Sequence, residues 1–190
     1  FIIGGDCLDK GPSDLALLRA VRRLIETGAD YTLLAGNHDV RLLMGLRAMG
    51  RHGDPTTEHL FVRMGPKVVP LLKEVHDAFE GEHPSSNAVP DEAECRRRLY
   101  PSPRWFDAFP RAARGRVSEP MVERELVRMR HKVETFGEVC AAAGLTMRQV
   151  YAAASRCQRL FLAEDGEFAW FFHDMQLMRR HGSFLFVHAG

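Results

Sequence analysis

Residues 1–39 read FIIGGDCLDKGPSDLALLRAVRRLIETGADYTLLAGNHD, and the order of elements within them decides the fold class. Residues 1–5 are an apolar run closed by glycine, which suits a buried parallel strand. A loop follows over residues 6–12. Ser13 is placed to cap a helix over residues 13–27, with Leu15, Leu17, Leu18, Val21 and Leu24 on one side and Gly28 as its stop. Residues 31–35 form a second apolar strand. Strand, helix and strand in so short a span make a βαβ unit, for which a right-handed crossover is expected. The chain therefore belongs to the α/β class.

Beyond Gly36 the pattern predicts another helix carrying Val40, Leu42, Leu43, Met44 and Leu46 and ending near Gly50. From about 51 to 181 almost no strand pattern is visible. Residues 58–79 look helical but are interrupted by Gly65-Pro66 and Pro70. Residues 82–120 hold six of the ten prolines, with a short helix over 92–100. Three stronger helices are expected next. One opens at Pro120 and runs to about 143. Another starts at a Thr146/Gln149 capping box. The third covers 167–180 with Phe168, Phe171, Phe172, Met175 and Met178 on its apolar side. Residues 183–187 return to strand character. The expected organisation is an α/β core from 1–50 and 182–190, interrupted by a mostly helical insertion over 51–181.

With 190 residues, 45% hydrophobic, the chain can bury a sizeable core as one domain. Lys plus Arg total 26 against 25 Asp plus Glu, so charge balance points to neither nucleic acid nor a membrane as partner. No apolar run reaches the roughly 18 residues of a membrane-spanning helix, and no secretory signal is visible. Cys7, Cys95, Cys140 and Cys157 lie far apart, which reads as reduced thiols in a cytoplasmic protein. The chain opens directly on Phe1-Ile2-Ile3 and closes on a strand-like run, so a piece of a longer protein is expected.

Three predicted strands end in residues that carry chemistry. The first ends in Gly5-Asp6-Cys7-Leu8-Asp9-Lys10-Gly11, the second in Gly36-Asn37-His38-Asp39, the last in Val187-His188-Ala189-Gly190. Ligands of open parallel sheets bind at that edge. Taken singly, Asp6 or Asp9 reads as a turn or cap residue, Asn37 as a left-handed turn residue and His188 as a satisfied core histidine. Together they deliver carboxylate, amide and imidazole donors to one place, a set suited to Mn²⁺, Fe or Zn²⁺.

These motifs, G-D-x-x-D-[RK]-G, G-N-H-[DE] and V-H-A-G, resemble those of the calcineurin-like metallophosphoesterases. The likeness is greatest to the phosphoprotein-phosphatase branch and its diadenosine-tetraphosphate-hydrolase-like bacterial relatives, which share lysine at the position of Lys10. The resemblance covers residues 1–50 and 183–190. It implies a partial metallophosphoesterase β-sandwich core flanked by helices, and two divalent metal ions. Asp6 would bridge them, Asn37 and His188 would bind the second, and Lys10 and Asn37 would contact phosphate. A metal-bridging hydroxide would attack while His38, oriented by Asp9, serves as general acid. Asp39 would support the loop from behind the ligands. The family's Asp-x-His motif should precede Phe1, and its last Gly-His motif should follow Gly190. The implied substrates are a phosphorylated small molecule, a nucleotide or a phosphoprotein. The insertion is expected to cap the site, with Arg96, Arg97, Arg98, Arg111, Arg114 and Arg116 as candidate anion contacts. A non-catalytic scaffold binding a partner through the insertion is the alternative.

Overall fold

A computed structural model of the chain describes residues 1–79 and 89–188. The start of the proline-rich stretch at 82–88, and Ala189-Gly190 of the last motif, lie outside the described residues.

The opening βαβ unit forms. Strand β1 (Ile2–Ile3) pairs in parallel with β2 (Thr32–Leu34), Ile2 opposite Thr32 and Ile3 opposite Leu33. Between them runs α1 (Asp14–Glu26), whose Ser13 cap accepts from the Ala16 N–H at 3.1 Å. Helix α2 (Asn37–Ala48) starts directly behind β2. Gly36 has no side chain with which to cap it, so Asp39 supplies the missing partner by accepting from the Gly36 N–H at 3.1 Å.

The middle of the chain is helical. Helix α3 (Leu60–Met64), a 3₁₀ turn (Gly65–Val68) and α4 (Val69–Ala78) take up the two interruptions foreseen there. Pro70 falls in the first turn of α4, where a missing N–H costs nothing. Then come α5 (Glu92–Leu99), α6 (Trp105–Ala113), α7 (Glu119–Ala142) and α8 (Met147–Leu162). The Thr146/Gln149 capping box forms at the head of α8. Helix α6 was not foreseen, because Pro110 sits inside it. Pro110 removes one ladder bond, and the burial of Trp105 offsets that loss. The Trp105 ring packs against His59 and Phe109, which also touch each other, and its indole N–H donates to the Pro55 carbonyl at 2.8 Å.

Two sequence expectations fail at the C-terminal end. The helix expected over 167–180 is only α9 (Ala169–His173). Past it the chain extends as β3 (Met175–Gln176), which pairs in parallel with the open edge of β2. The Ala35 N–H donates to the Gln176 carbonyl at 2.8 Å, so an unpaired strand edge outcompetes the helical periodicity. The final strand β5 (Phe184–Val187) was expected to return to the parallel sheet. It pairs instead in antiparallel fashion with β4 (Met178–His181), across a turn at Gly182 whose φ is +59°.

One hydrophobic cluster joins the two predicted parts. Cys7, Leu8, Leu15, Leu18, Leu33 and Leu42 from the first fifty residues share it with Leu72, Val75, Phe136, Ala153, Cys157 and Phe161. A further tie is Glu74 of α4, which caps the head of α1 by accepting from the Ser13 hydroxyl at 2.5 Å and the Asp14 N–H at 2.8 Å. All four cysteines are free and buried. Among the described residues no helix is long and apolar enough to cross a membrane.

Candidate active site

The residues after β1 trace an unusual backbone. Gly5, Asp6 and Asp9 have φ of +85°, +54° and +58°. Left-handed geometry is cheap at glycine and costs a non-glycine residue on the order of 1 kcal/mol. Two aspartates held there in one short loop imply a strong external constraint.

Asp39 supplies that constraint. Its carboxylate is completely buried and accepts from three backbone N–H groups: Asp6 at 2.8 Å, Gly36 at 3.1 Å and Leu8 at 3.3 Å. Burial pushes its pKa up, and those three bonds oppose the shift. Asp14, also buried, accepts from the Asp9 N–H at 3.1 Å. Its own carboxyl is pushed up to about 6, chiefly by desolvation. Glycine is required where the two loops touch. A Cβ on Gly5 would lie 2.6 Å from the Gly36 nitrogen, and one on Gly36 would collide with Asp6. This contact explains physically why both motifs begin with glycine.

The side chains converge within this frame. His38 is buried, and its Nδ1 lies 2.6 and 2.7 Å from the two carboxylate oxygens of Asp9. A carboxylate only accepts, so Nδ1 carries the proton and Nε2 is left to face outward. The His38 N–H donates to Asp6 Oδ1 at 3.0 Å, and Nε2 stands 3.8 Å from Asp6 Oδ2. Lys10 Nζ is 4.0 Å from the same oxygen. Asn37, exposed, opens α2 one residue before His38.

His188 arrives by a route not foreseen. Although β5 lies in the hairpin, His188 Nδ1 sits 2.7 Å from the Gly4 carbonyl and Nε2 lies 3.3 Å from Asp6 Oδ1. The carbonyl can only accept, so Nδ1 is the protonated nitrogen. The Nε2 lone pair would then confront a carboxylate oxygen. Two such groups that close must share either a proton, making an imidazolium–carboxylate pair, or a cation.

That pairing tests the fit of a metal. Asp6 Oδ1 and His188 Nε2 lie 3.3 Å apart, and Asn37 opens the neighbouring helix. Carboxylate oxygen and imidazole nitrogen are donor types that a divalent cation accepts. Among the described residues no three His, Cys, Asp or Glu side chains gather as a fuller cage. Cys7 is no nucleophile, because burial and the nearby carboxylates push its thiol up to about 12.

Sequence reasoning missed Lys67. It lies in the 3₁₀ turn between α3 and α4, and its Nζ is 3.5 Å from His38 Nε2. Lys67 and Arg41 line, with Asp9 and His38, a small cleft of about 20 Å³, room for roughly one water. The only local signal was the helix-breaking Gly65-Pro66 pair, which says nothing about where the turn points. None of the six arginines singled out in the insertion lines this cleft. Arg97 and Arg98 both pair with Glu94 at 2.6 Å, and Arg96 lies over the Tyr100 ring.

No family model, no curated protein and no solved structure matches the chain. What the site can do follows from its own residues.

Proposed function

We propose that the chain carries a metal-dependent phosphoesterase centre that hydrolyses a phosphate ester or anhydride. The observation carrying this reading is the His38–Asp9 pair at 2.6 Å set beside Asp6 and His188, which face each other at 3.3 Å. A buried carboxylate–imidazole pair is suited to giving a proton to a departing oxygen. An oxygen–nitrogen pair without a shared proton is suited to a divalent cation.

Asp6, His188 and Asn37 would hold a divalent cation (Mn²⁺, Fe or Zn²⁺), and the family resemblance implies a second one that would share Asp6. A bound cation supplies positive charge to the phosphoryl oxygens and acidifies a water for attack. Lys10 adds a cation for a non-bridging phosphate oxygen, as a point charge without the bidentate fork of arginine. His38 protonates the leaving oxygen from Nε2, while Asp9 keeps Nδ1 protonated and stabilises the imidazolium. Asp39 holds both loops in register. In this reading the small parallel sheet and the β4–β5 hairpin belong to a metallophosphoesterase β-sandwich, and the free buried thiols fit a cytoplasmic setting. Phosphorylated small molecules, nucleotides and phosphoproteins are the substrate classes.

Turnover of p-nitrophenyl phosphate with Mn²⁺ is the test. His38→Ala should lower kcat by roughly 10²–10⁴-fold, the ordinary worth of a positioned proton donor. Asp6→Asn should weaken Mn²⁺ binding measured by calorimetry. Absence of turnover with Mn²⁺, Fe²⁺ and Zn²⁺ alike, and no change on His38→Ala, would sink the enzyme reading in favour of a non-catalytic scaffold.

A further inference from the structure

We infer that Lys67 is a substrate-binding residue, placed to hydrogen-bond the same leaving-group oxygen that His38 protonates, and that it favours leaving groups which themselves carry phosphate. This deepens the phosphoesterase reading and rests on it for the reaction.

The geometry is specific. His38 Nδ1 is committed to Asp9, so only Nε2 can exchange a proton with substrate, and Lys67 Nζ lies 3.5 Å from that atom. An ammonium group donates and never accepts. A single oxygen placed at ordinary hydrogen-bond distance, roughly 2.8 Å from each nitrogen, completes a triangle on that 3.5 Å base. Lys67 donates to the bare Nε2 here; once Nε2 carries a proton, both nitrogens are donors and converge on that one oxygen position.

The insertion holds Lys67 in place rather than leaving it to a free loop. Gly65 opens the turn with φ +67°, a conformation L side chains rarely adopt. Lys132 of α7 packs against that glycine and donates to the Arg63 carbonyl, just before the turn. Glu125, two turns earlier on the same face of α7, takes the Arg63 guanidinium at 2.5 Å. Two residues of α7 thus fix both the backbone and the side chain that lead into Lys67.

The chemistry selects the leaving group. In hydrolysis a water oxygen forms the new P–O bond and releases its proton to solvent. The old P–O bond breaks with its electron pair remaining on the departing oxygen, and His38 gives that oxygen its proton. Lys67 keeps its protons throughout and contributes charge. A neutral alcohol gains little from a fixed ammonium group once protonated. A departing phosphate still bears negative charge, which the ammonium group of Lys67 can meet. A phosphoanhydride is the substrate class that uses it.

The test compares inorganic pyrophosphate with p-nitrophenyl phosphate as substrates, with Mn²⁺, for the unaltered chain, Lys67→Met and Lys67→Arg. Lys67→Met should lower kcat/KM for pyrophosphate by roughly 10–100-fold, the worth of one charge-assisted hydrogen bond. The same variant should lower p-nitrophenyl phosphate turnover by a smaller factor, under about fivefold, since that leaving oxygen meets the ammonium group but carries no second phosphate. Lys67→Arg should restore most of the loss. An equal fall on both substrates, or no fall on either, overturns the inference. Calorimetry with pyrophosphate in metal-free buffer supplies a readout independent of turnover. There Lys67→Met should weaken binding by roughly tenfold, and unchanged binding overturns the assignment of Lys67. Failure of the phosphoesterase reading shows separately, as absent p-nitrophenyl phosphate turnover by the unaltered chain.

Discussion

Phe136 of α7 is completely buried, edge-on to Phe61 and Tyr100, whereas Phe184 of β5 is 67% exposed. Phe184 stands in the apolar run Phe184-Leu185-Phe186-Val187, whereas Phe136 has Glu134, Thr135, Gly137 and Glu138 as its neighbours. Helix α7 finds cover within the chain, from α3 and the 3₁₀ turn, while Met178, Leu185 and Val187 of the hairpin face outward with Phe184. An apolar pattern therefore states that a face seeks cover and leaves open what covers it. The helical body holds the stability, and the strands hold the site. A two-stranded hairpin contributes little stability by itself, yet this one delivers His188 to Asp6.

The largest effect should come from cutting each region at its aromatic ring. Phe136→Ala should cost about 3–5 kcal/mol in denaturant unfolding, and Phe184→Ala under about 1. Comparable losses at the two positions would erase the distinction between body and hairpin.

A second test lies where the body meets the strand-end loops. Asp14 in the folded chain keeps its proton up to about pH 6, whereas a free carboxyl releases it near 3.8. The folded state binds more protons between those values, so stability should fall as pH rises through that window, by roughly 3 kcal/mol in all. Asp14→Asn retains an oxygen for the Asp9 N–H and has no proton to release. Its unfolding free energy should lose this slope, leaving the variant more stable than the unaltered chain at pH 7. Denaturant midpoints across pH 4 to 7 for the two chains would show it.

The smallest effect sharpens how the body steadies the site. Glu74→Gln keeps the size of the side chain but removes the charge from the head of α1. It should cost about 1 kcal/mol. Unfolding curves at low and high salt would check this, since part of the loss is screened.

Local signals were readable in the sequence wherever one short segment contained the whole interaction. Ser13 with Ala16, Thr146 with Gln149, and Pro120 at a helix start are of this kind. So was the first half of the site, because β1 and β2 each end on a glycine and a polar residue. What could not be read depends on partners distant in sequence. Residues 175–176 become a strand because β2 offers an edge 142 positions earlier, Leu33 opposite Met175. The β5 strand turns to β4 instead of the parallel sheet, and α6 tolerates Pro110 because Trp105 is buried beside His59. Lys67 approaches His38 across 29 positions through a turn whose direction α7 sets.

Asp39 has a thermodynamic consequence of its own. One carboxylate fastens the loops that follow two strands, so the ordering of Asp6, Asp9 and His38 is completed when the chain folds. In the proposed phosphoesterase, a cation or phosphate arriving later would meet donors already in place. The entropy of immobilising them would then be charged to folding, and the affinity of the site would be correspondingly greater. A substitution at Asp39 should therefore show itself first as weaker binding, at a residue that never touches what is bound.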